Sequence, residues 1–320
     1  MSTLVRQDPV AAPSARWLGR WAAERFPLRN LLFFAPLFAA AQVGAPGARG
    51  GPIVVRGGAL IDFAAFWSFF LLLRVYDEHK DFAADALAHP QRVLQRGLVS
   101  LAQLRVLAGL SIALQLGASL ARDGGVPGAA TAWWLAAMGW SALMAREFFA
   151  PRWLRAHLVI YAVSHMLVMP LLIAWAAAMA GADGRSVGAI TAVAVLAFTD
   201  GLAVEIARKL RAPEDERPTA DSYTQSLGMR GALAAATGTV LGASVLALLA
   251  AHTISGSTPA LLLVAVAVAA TFAIHRVVAF GRAPNAARAA GAEAAVALSV
   301  VVGLAGVIGT AVATRGWVLR

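Results

Sequence analysis

Apolar stretches of about 17 to 25 residues, the length an α-helix needs to cross roughly 30 Å of hydrocarbon, recur along this 320-residue chain with short polar segments between them. Nine spans are expected, near 31–45, 58–76, 100–120, 130–148, 157–180, 187–207, 230–251, 258–279 and 291–313. With 59% hydrophobic residues, 14% charged residues and a mean hydropathy of +0.70, the chain has too little polar surface to cover a soluble globule of its size. The fold class is therefore all-α, a polytopic membrane bundle.

A net charge of +10 and a pI near 11.3 would suggest nucleic acid in a soluble domain. The placement of the charges argues otherwise. With the N-terminus set inside, 21 of the 27 Lys and Arg fall on inner segments, leaving Arg49, Arg56, Arg122, Arg185, Arg315 and Arg320 outside. This is the positive-inside bias, so no nucleic-acid partner is expected. It places the N-terminus and the polar loops 77–99 and 208–229 on the cytoplasmic side of an inner membrane.

The absence of Cys excludes disulfides, thiolate metal sites and a Cys nucleophile. No compact apolar run precedes Asn30, which argues against a cleaved signal peptide. Residues 1–29 are expected to form an inner-face segment. Trp17, Trp21 and Phe26, interleaved with Arg16, Arg20 and Arg25, suggest an amphipathic interfacial helix there, a disordered tail being the alternative. Residues 30–320 are expected to form a single transmembrane domain. Gly238 and Gly242, four residues apart, suit tight helix contacts.

Chemistry is expected on the inner face. Asp77, Glu78, Asp81 and Asp85 close the second span; on a helix continuing to about His89, Asp77, Asp81 and Asp85 fall at i, i+4 and i+8, and Glu78 joins the same stripe at i+3 spacing. Pro90 ends that helix. Clustered carboxylates repel and raise one another's pKa values, and a divalent cation relieves this. Mg²⁺ prefers one or two carboxylates, waters and phosphate oxygens, so a metal diphosphate suits the stripe. The alternative is a solvated helix end neutralised by Arg74, Lys80 and Arg92.

The stretch DEHKDFAADALAHPQRVLQRGLVS resembles the first signature of the UbiA superfamily of intramembrane prenyltransferases, Asn-Asp-x-x-Asp-x-x-x-Asp followed by an Arg-Pro-Leu-x-x-Gly loop. Asp77 stands at the Asn position, Glu78, Asp81 and Asp85 at the three Asp positions, and Arg92, Leu94 and Gly97 keep the loop frame, with Val93 where Pro is usual. The resemblance implies an all-α bundle around a central cavity. It implies two acidic motifs that bind Mg²⁺ and the diphosphate of an isoprenoid donor, and a hydrophobic or aromatic acceptor reached from membrane lipid. Asp77, Glu78, Asp81, Asp85 and Glu205 are then the catalytic, metal-binding acids, with Asp215 as a further ligand.

The second motif departs from the family pattern. Where Asp-x-x-x-Asp usually ends the sixth span, this chain has Glu205 and Lys209 at i, i+4, with Glu214, Asp215 and Glu216 between Pro213 and Pro218. Arg92, Arg208, Lys209 and Arg211 are candidate diphosphate contacts, since Arg suits bidentate phosphate binding and Lys a point-charge contact. A surface loop with Glu–Arg pairs is the alternative. Ser222 to Gly228 resembles the family's Ser/Thr stretch ending in Leu-Gly.

His157, Tyr161 and His165, spaced by four on the fifth span, share a face and are candidates for orienting an acceptor or for packing between helices. Phe66 and Phe70, in an aromatic run before the acids, are candidates for shielding a carbocation or for packing. Asn30 is an inner-face polar residue that could reach the diphosphate or anchor the interface. The function expected is Mg²⁺-dependent prenyl transfer. The alternatives are a terpene cyclase on the same scaffold, motivated by the atypical second loop, and a non-catalytic lipid-binding or carrier protein.

Overall fold

The computed structural model describes residues 15–47, 51–217 and 221–319. Residues 1–14 of the expected N-terminal segment, the side chain of Arg16, and Arg49, Pro218 and Arg320 lie outside the described residues. The chain runs α1 (Ala15–Arg25), α2 (Leu31–Gly47), β1 (Ile53–Val55), α3 (Ala59–Lys80), α4 (Phe82–Ala88), α5 (Leu101–Arg122), α6 (Ala129–Ala145), α7 (Pro151–Ala156), α8 (Leu158–Met166), α9 (Val168–Met179), α10 (Val187–Arg208), α11 (Tyr223–Ser255), α12 (Ala260–Arg282), α13 (Ala286–Arg315) and β2 (Trp317–Leu319). The two short strands pair in parallel, Ile53 opposite Trp317, and tie the chain's end to the α2–α3 connection.

Among the described residues, eight helical segments are long and apolar enough to cross a membrane, α8 and α9 counting as one. Their outward faces carry apolar stripes at helical spacing. Val106, Leu110 and Leu114 on α5, and Leu241, Val245 and Leu249 on α11, are all exposed, an arrangement that water would penalise and lipid accepts. The chain is an integral membrane protein. The expected span near 130–148 is α6, which stops after 17 residues. At 1.5 Å per residue it reaches only about 25 Å, because the chain turns into a left-handed conformation at Glu147, Phe148 and Phe149 (φ 45°, 50° and 59°).

Helix ends follow local chemistry. Ser100 and Gln103 form a reciprocal capping box at the start of α5, and Ser222 and Asn285 accept from backbone N–H groups at the starts of α11 and α13. Pro170 lacks the N–H that would bond Met166, and the fifth span breaks between α8 and α9 just before it. The helix expected to run to His89 is likewise interrupted at Asp81, whose backbone (φ −97°, ψ 6°) leaves the α region between α3 and α4. Gly228 adopts φ +70° inside α11, which explains why glycine closes the Leu-Gly stretch.

The core lies between helices. Phe66, Phe69, Leu172 and Trp175 fill one cluster, and Tyr223, Val277 and Phe280 a second. Polar contacts fix the helices against one another: Gln115 donates to Ser68 at 3.2 Å, Trp134 donates to Gln115 at 3.0 Å, and Trp175 donates to Ser119 at 2.9 Å. Of the two glycines expected at tight contacts, Gly242 faces Thr199, while Gly238 faces open space. Gly303 against Ala247 is a closer approach. α1 is helical as expected, but its Trp21 is fully buried against Val75, Leu94 and Leu104, so that face packs on the protein.

Candidate active site

The carboxylates that close α3 point two ways. Asp77 and Asp81 line a cavity of ≈ 340 Å³. Glu78, almost fully buried, is bound by Arg25 at 2.5 Å and Arg74 at 3.3 Å. Asp85 is held by Arg92 at 2.5 Å and Arg25 at 3.4 Å. A 100° step per residue separates Asp77 from Glu78, and α1 supplies Arg25 on the far side. The kink at Asp81 turns Asp85 away with α4.

The cavity is closed from the other side by α10. Glu205, Arg208 and Lys209 line it together with Tyr161 and His165 of α8, Ser141 and Met144 of α6, and Arg74, Tyr76 and Lys80 of α3. Two polar segments about 120 residues apart are thus brought to one wall-to-wall site. Glu205 accepts from Arg208 at 2.5 Å and from Lys209 at 2.9 Å. Lys80 bonds the Tyr161 hydroxyl at 3.3 Å and lies 3.8 Å from Asp77 and 3.7 Å from Glu147. The Lys209 ammonium sits 5.6 Å from the Tyr161 ring centre, within cation–π range. Tyr161 and His165 stack at 3.9 Å.

Burial pushes the Asp81 carboxyl above its ordinary range. Lys80 opposes this, while the neighbouring carboxylates of Asp77, Asp85 and Glu147 reinforce it. Among the described residues no group of three or more His, Asp and Glu side chains is placed to hold a metal ion. Asp77 and Asp81 alone make a donor pair of the kind that hydrated Mg²⁺ shares with phosphate oxygens, and four cationic side chains stand around them. The donor set fits a Mg²⁺ diphosphate.

No family model matches this chain, and no curated protein matches it by sequence. A solved structure from work on digeranylgeranylglyceryl phosphate synthase in membranes is similar over 93% of this chain and 99% of that one, with a TM-score of 0.63 and 15% identity. The chain shares the fold of that structure.

Within this fold the expected site residues divide. Asp77, Asp81, Tyr161, His165, Glu205, Arg208 and Lys209 share the cavity. Arg211 and Asp215 line a smaller adjoining one of ≈ 110 Å³ with Arg208 and Glu293. Phe66 is wholly buried against Phe38 and Trp175, and Phe70 stacks on Phe34 at 3.9 Å, about two turns below Asp77. His157 is exposed, stacked on Trp153 at the α7–α8 break, and does not share the face of Tyr161 and His165, because its backbone is not helical. Asn30 ends a 3₁₀ turn before α2 and does not line the cavity. Tyr76 and Ser141 were not anticipated as lining residues. Tyr76 precedes Asp77, and Ser141 carries no signal beyond one hydroxyl in an apolar span.

Proposed function

We propose that this protein is a membrane prenyltransferase that ionises an isoprenyl diphosphate with Mg²⁺ and passes the prenyl group to a hydrophobic or aromatic acceptor drawn from the lipid phase. The observation that carries this reading is the convergence of Asp77 and Asp81 with Arg208 and Lys209 in one cavity at one end of the bundle. The likeness in fold to a synthase in membranes supports it. So does the positive-inside bias, from which we read the cavity as facing the cytoplasm.

Asp77 and Asp81 would hold the ion, and neutralising the charge that builds on the leaving diphosphate is the chemistry Mg²⁺ supplies when bound. Arg74, Lys80, Arg208 and Lys209 take the remaining phosphate oxygens. The bond between the allylic carbon and the diphosphate oxygen breaks with its electron pair on oxygen. The acceptor's nucleophile then bonds that carbon and sheds a proton. That proton passes to water; His165, whose Nδ1 bonds the Tyr161 carbonyl at 2.8 Å, lines the cavity with its Nε2 buried and unpartnered.

The test is Mg²⁺-dependent pyrophosphate release by detergent-purified protein given geranyl, farnesyl or geranylgeranyl diphosphate, with and without a membrane-lipid extract. Release that requires the extract is the expected result. Release without it would replace transfer by cyclisation or hydrolysis.

A further inference from the structure

We infer that the second polar segment supplies fixed cationic charge in place of a second metal ion, so that the site works with one Mg²⁺ and an internal Glu205–Arg208–Lys209 clamp. This rests on the prenyl-diphosphate reading above. The family resemblance implies that the acids of both motifs act on metal, and the residues here do not fit that arrangement. Both oxygens of Glu205 are taken, Oε2 by Arg208 and Oε1 by Lys209. Glu214 is exposed. Asp215 opens on the adjoining cavity. Glu216 accepts from the hydroxyls of Ser222 at 2.7 Å and Thr224 at 2.6 Å at the start of α11. None of these three lines the main cavity.

What α10 offers instead is a guanidinium and an ammonium one turn beyond Glu205, both on the cavity wall. An ordinary ion pair would leave them as partners of the carboxylate alone. Arg208 has five donors and Lys209 three, so each retains N–H groups after bonding Glu205. Glu205 is therefore a positioning residue: it holds the two cations at i+3 and i+4, and they face the diphosphate directly. The negative end of the α10 dipole favours the same placement. A bound metal needs waters and carboxylate charge, and each Glu205 oxygen already carries a close cation, Arg208 at 2.5 Å and Lys209 at 2.9 Å, whose charges offset what a second metal ion would need.

The experiment is equilibrium dialysis of the detergent-solubilised full chain against Mn²⁺ and inorganic pyrophosphate, with metal and phosphorus counted per chain. The expected result is one Mn²⁺ per bound pyrophosphate in the wild type and in Glu205→Gln. Lys209→Met should keep that single metal while weakening pyrophosphate about tenfold or more. Two Mn²⁺ in the wild type falling to one in Glu205→Gln would overturn the clamp and make Glu205 a ligand. Failure of the wild type to retain pyrophosphate at all would remove the prenyl-diphosphate reading beneath it, and the clamp with it. Circular dichroism of each variant excludes misfolding as the cause of any loss.

Discussion

Arg25 of α1 donates to Glu78 of α3 at 2.5 Å, so the carboxylate next to Asp77 is engaged by the N-terminal helix on the side away from the cavity. Glu78 is 1% exposed and Arg25 15%, and a buried carboxylate deprived of its partner is costly. Arg74 remains within 3.3 Å and softens the loss. Arg25→Met should lower stability by about 2–3 kcal/mol, below the ~3–5 kcal/mol for a fully orphaned ion. The double variant Arg25→Met/Glu78→Met should be less damaged than the single one. Thermal unfolding in detergent decides the matter, and a double variant less stable than Arg25→Met would refute the pairing argument.

Asp81 separates activity from stability. Its carboxyl titrates above its unfolded value because burial disfavours the charge. For an acid raised in the folded state, the contribution is most favourable below the unfolded pKa of about 3.9 and is lost as pH rises through the raised folded value. At neutral pH, then, ionised Asp81 destabilises the metal-free fold. Asp81→Asn should raise the Tm of metal-free protein at pH 7 and lower Mg²⁺-dependent pyrophosphate release about a hundredfold or more. Unchanged release in that variant would remove Asp81 from the metal site.

Much of this arrangement was legible in the sequence, and the limits of legibility are physical. Eight of the nine expected spans follow from apolar length alone; the other, α6, is cut short by the turn at Glu147–Phe149. The spacing of Asp77, Asp81 and Glu205 marked the acids, and the i+3 and i+4 offsets of Arg208 and Lys209 already placed them beside Glu205. Which acids would face inward was not legible, because Arg25, 53 residues from Glu78, is brought there by the burial of Trp21. The kink at Asp81 and the non-helical backbone at His157 broke the ideal periodicity that grouped Asp85 with Asp77, and His157 with Tyr161.

The α5–α6 connection carries a second acid with a definite pH signature. Asp123 accepts from the backbone N–H groups of Gly128 at 2.9 Å, Ala130 at 3.0 Å and Thr131 at 2.7 Å, closing the start of α6. Slight burial works to raise its pKa, but the hydrogen bonds from Thr131, Ala130 and Gly128 prevail and hold it below the usual carboxylate range. The stabilisation is therefore present above the unfolded pKa and is lost as pH falls through the depressed folded value. Asp123→Ala should cost about 1–2 kcal/mol at neutral pH, as for loss of a helix cap. Its stability should converge on that of the wild type in acid, and a gap that persists below about pH 2 would contradict the assignment.

Three consecutive non-glycine residues, Glu147, Phe148 and Phe149, hold positive φ beside the cavity. Each such residue costs about 1–2 kcal/mol, and the turn is kept where Glu147 approaches Lys80 and Phe148 packs against Trp140 and His165. Phe149 is 74% exposed, so replacing it removes little packing. Phe149→Gly relieves the strain at that residue but gives the unfolded chain more freedom, a partial offset of about 0.4–1 kcal/mol. A net gain of about 0.5–1 kcal/mol is expected. Phe149→Ala, which keeps the Cβ, should show no such gain. Unfolding of the two variants side by side in detergent distinguishes backbone strain from loss of the ring: equal stability would show that the turn is relaxed at Phe149. If Phe149→Gly instead stabilises while pyrophosphate release falls, the strained turn is maintained for the contact it gives Lys80, and through Lys80 for Asp77 and Tyr161.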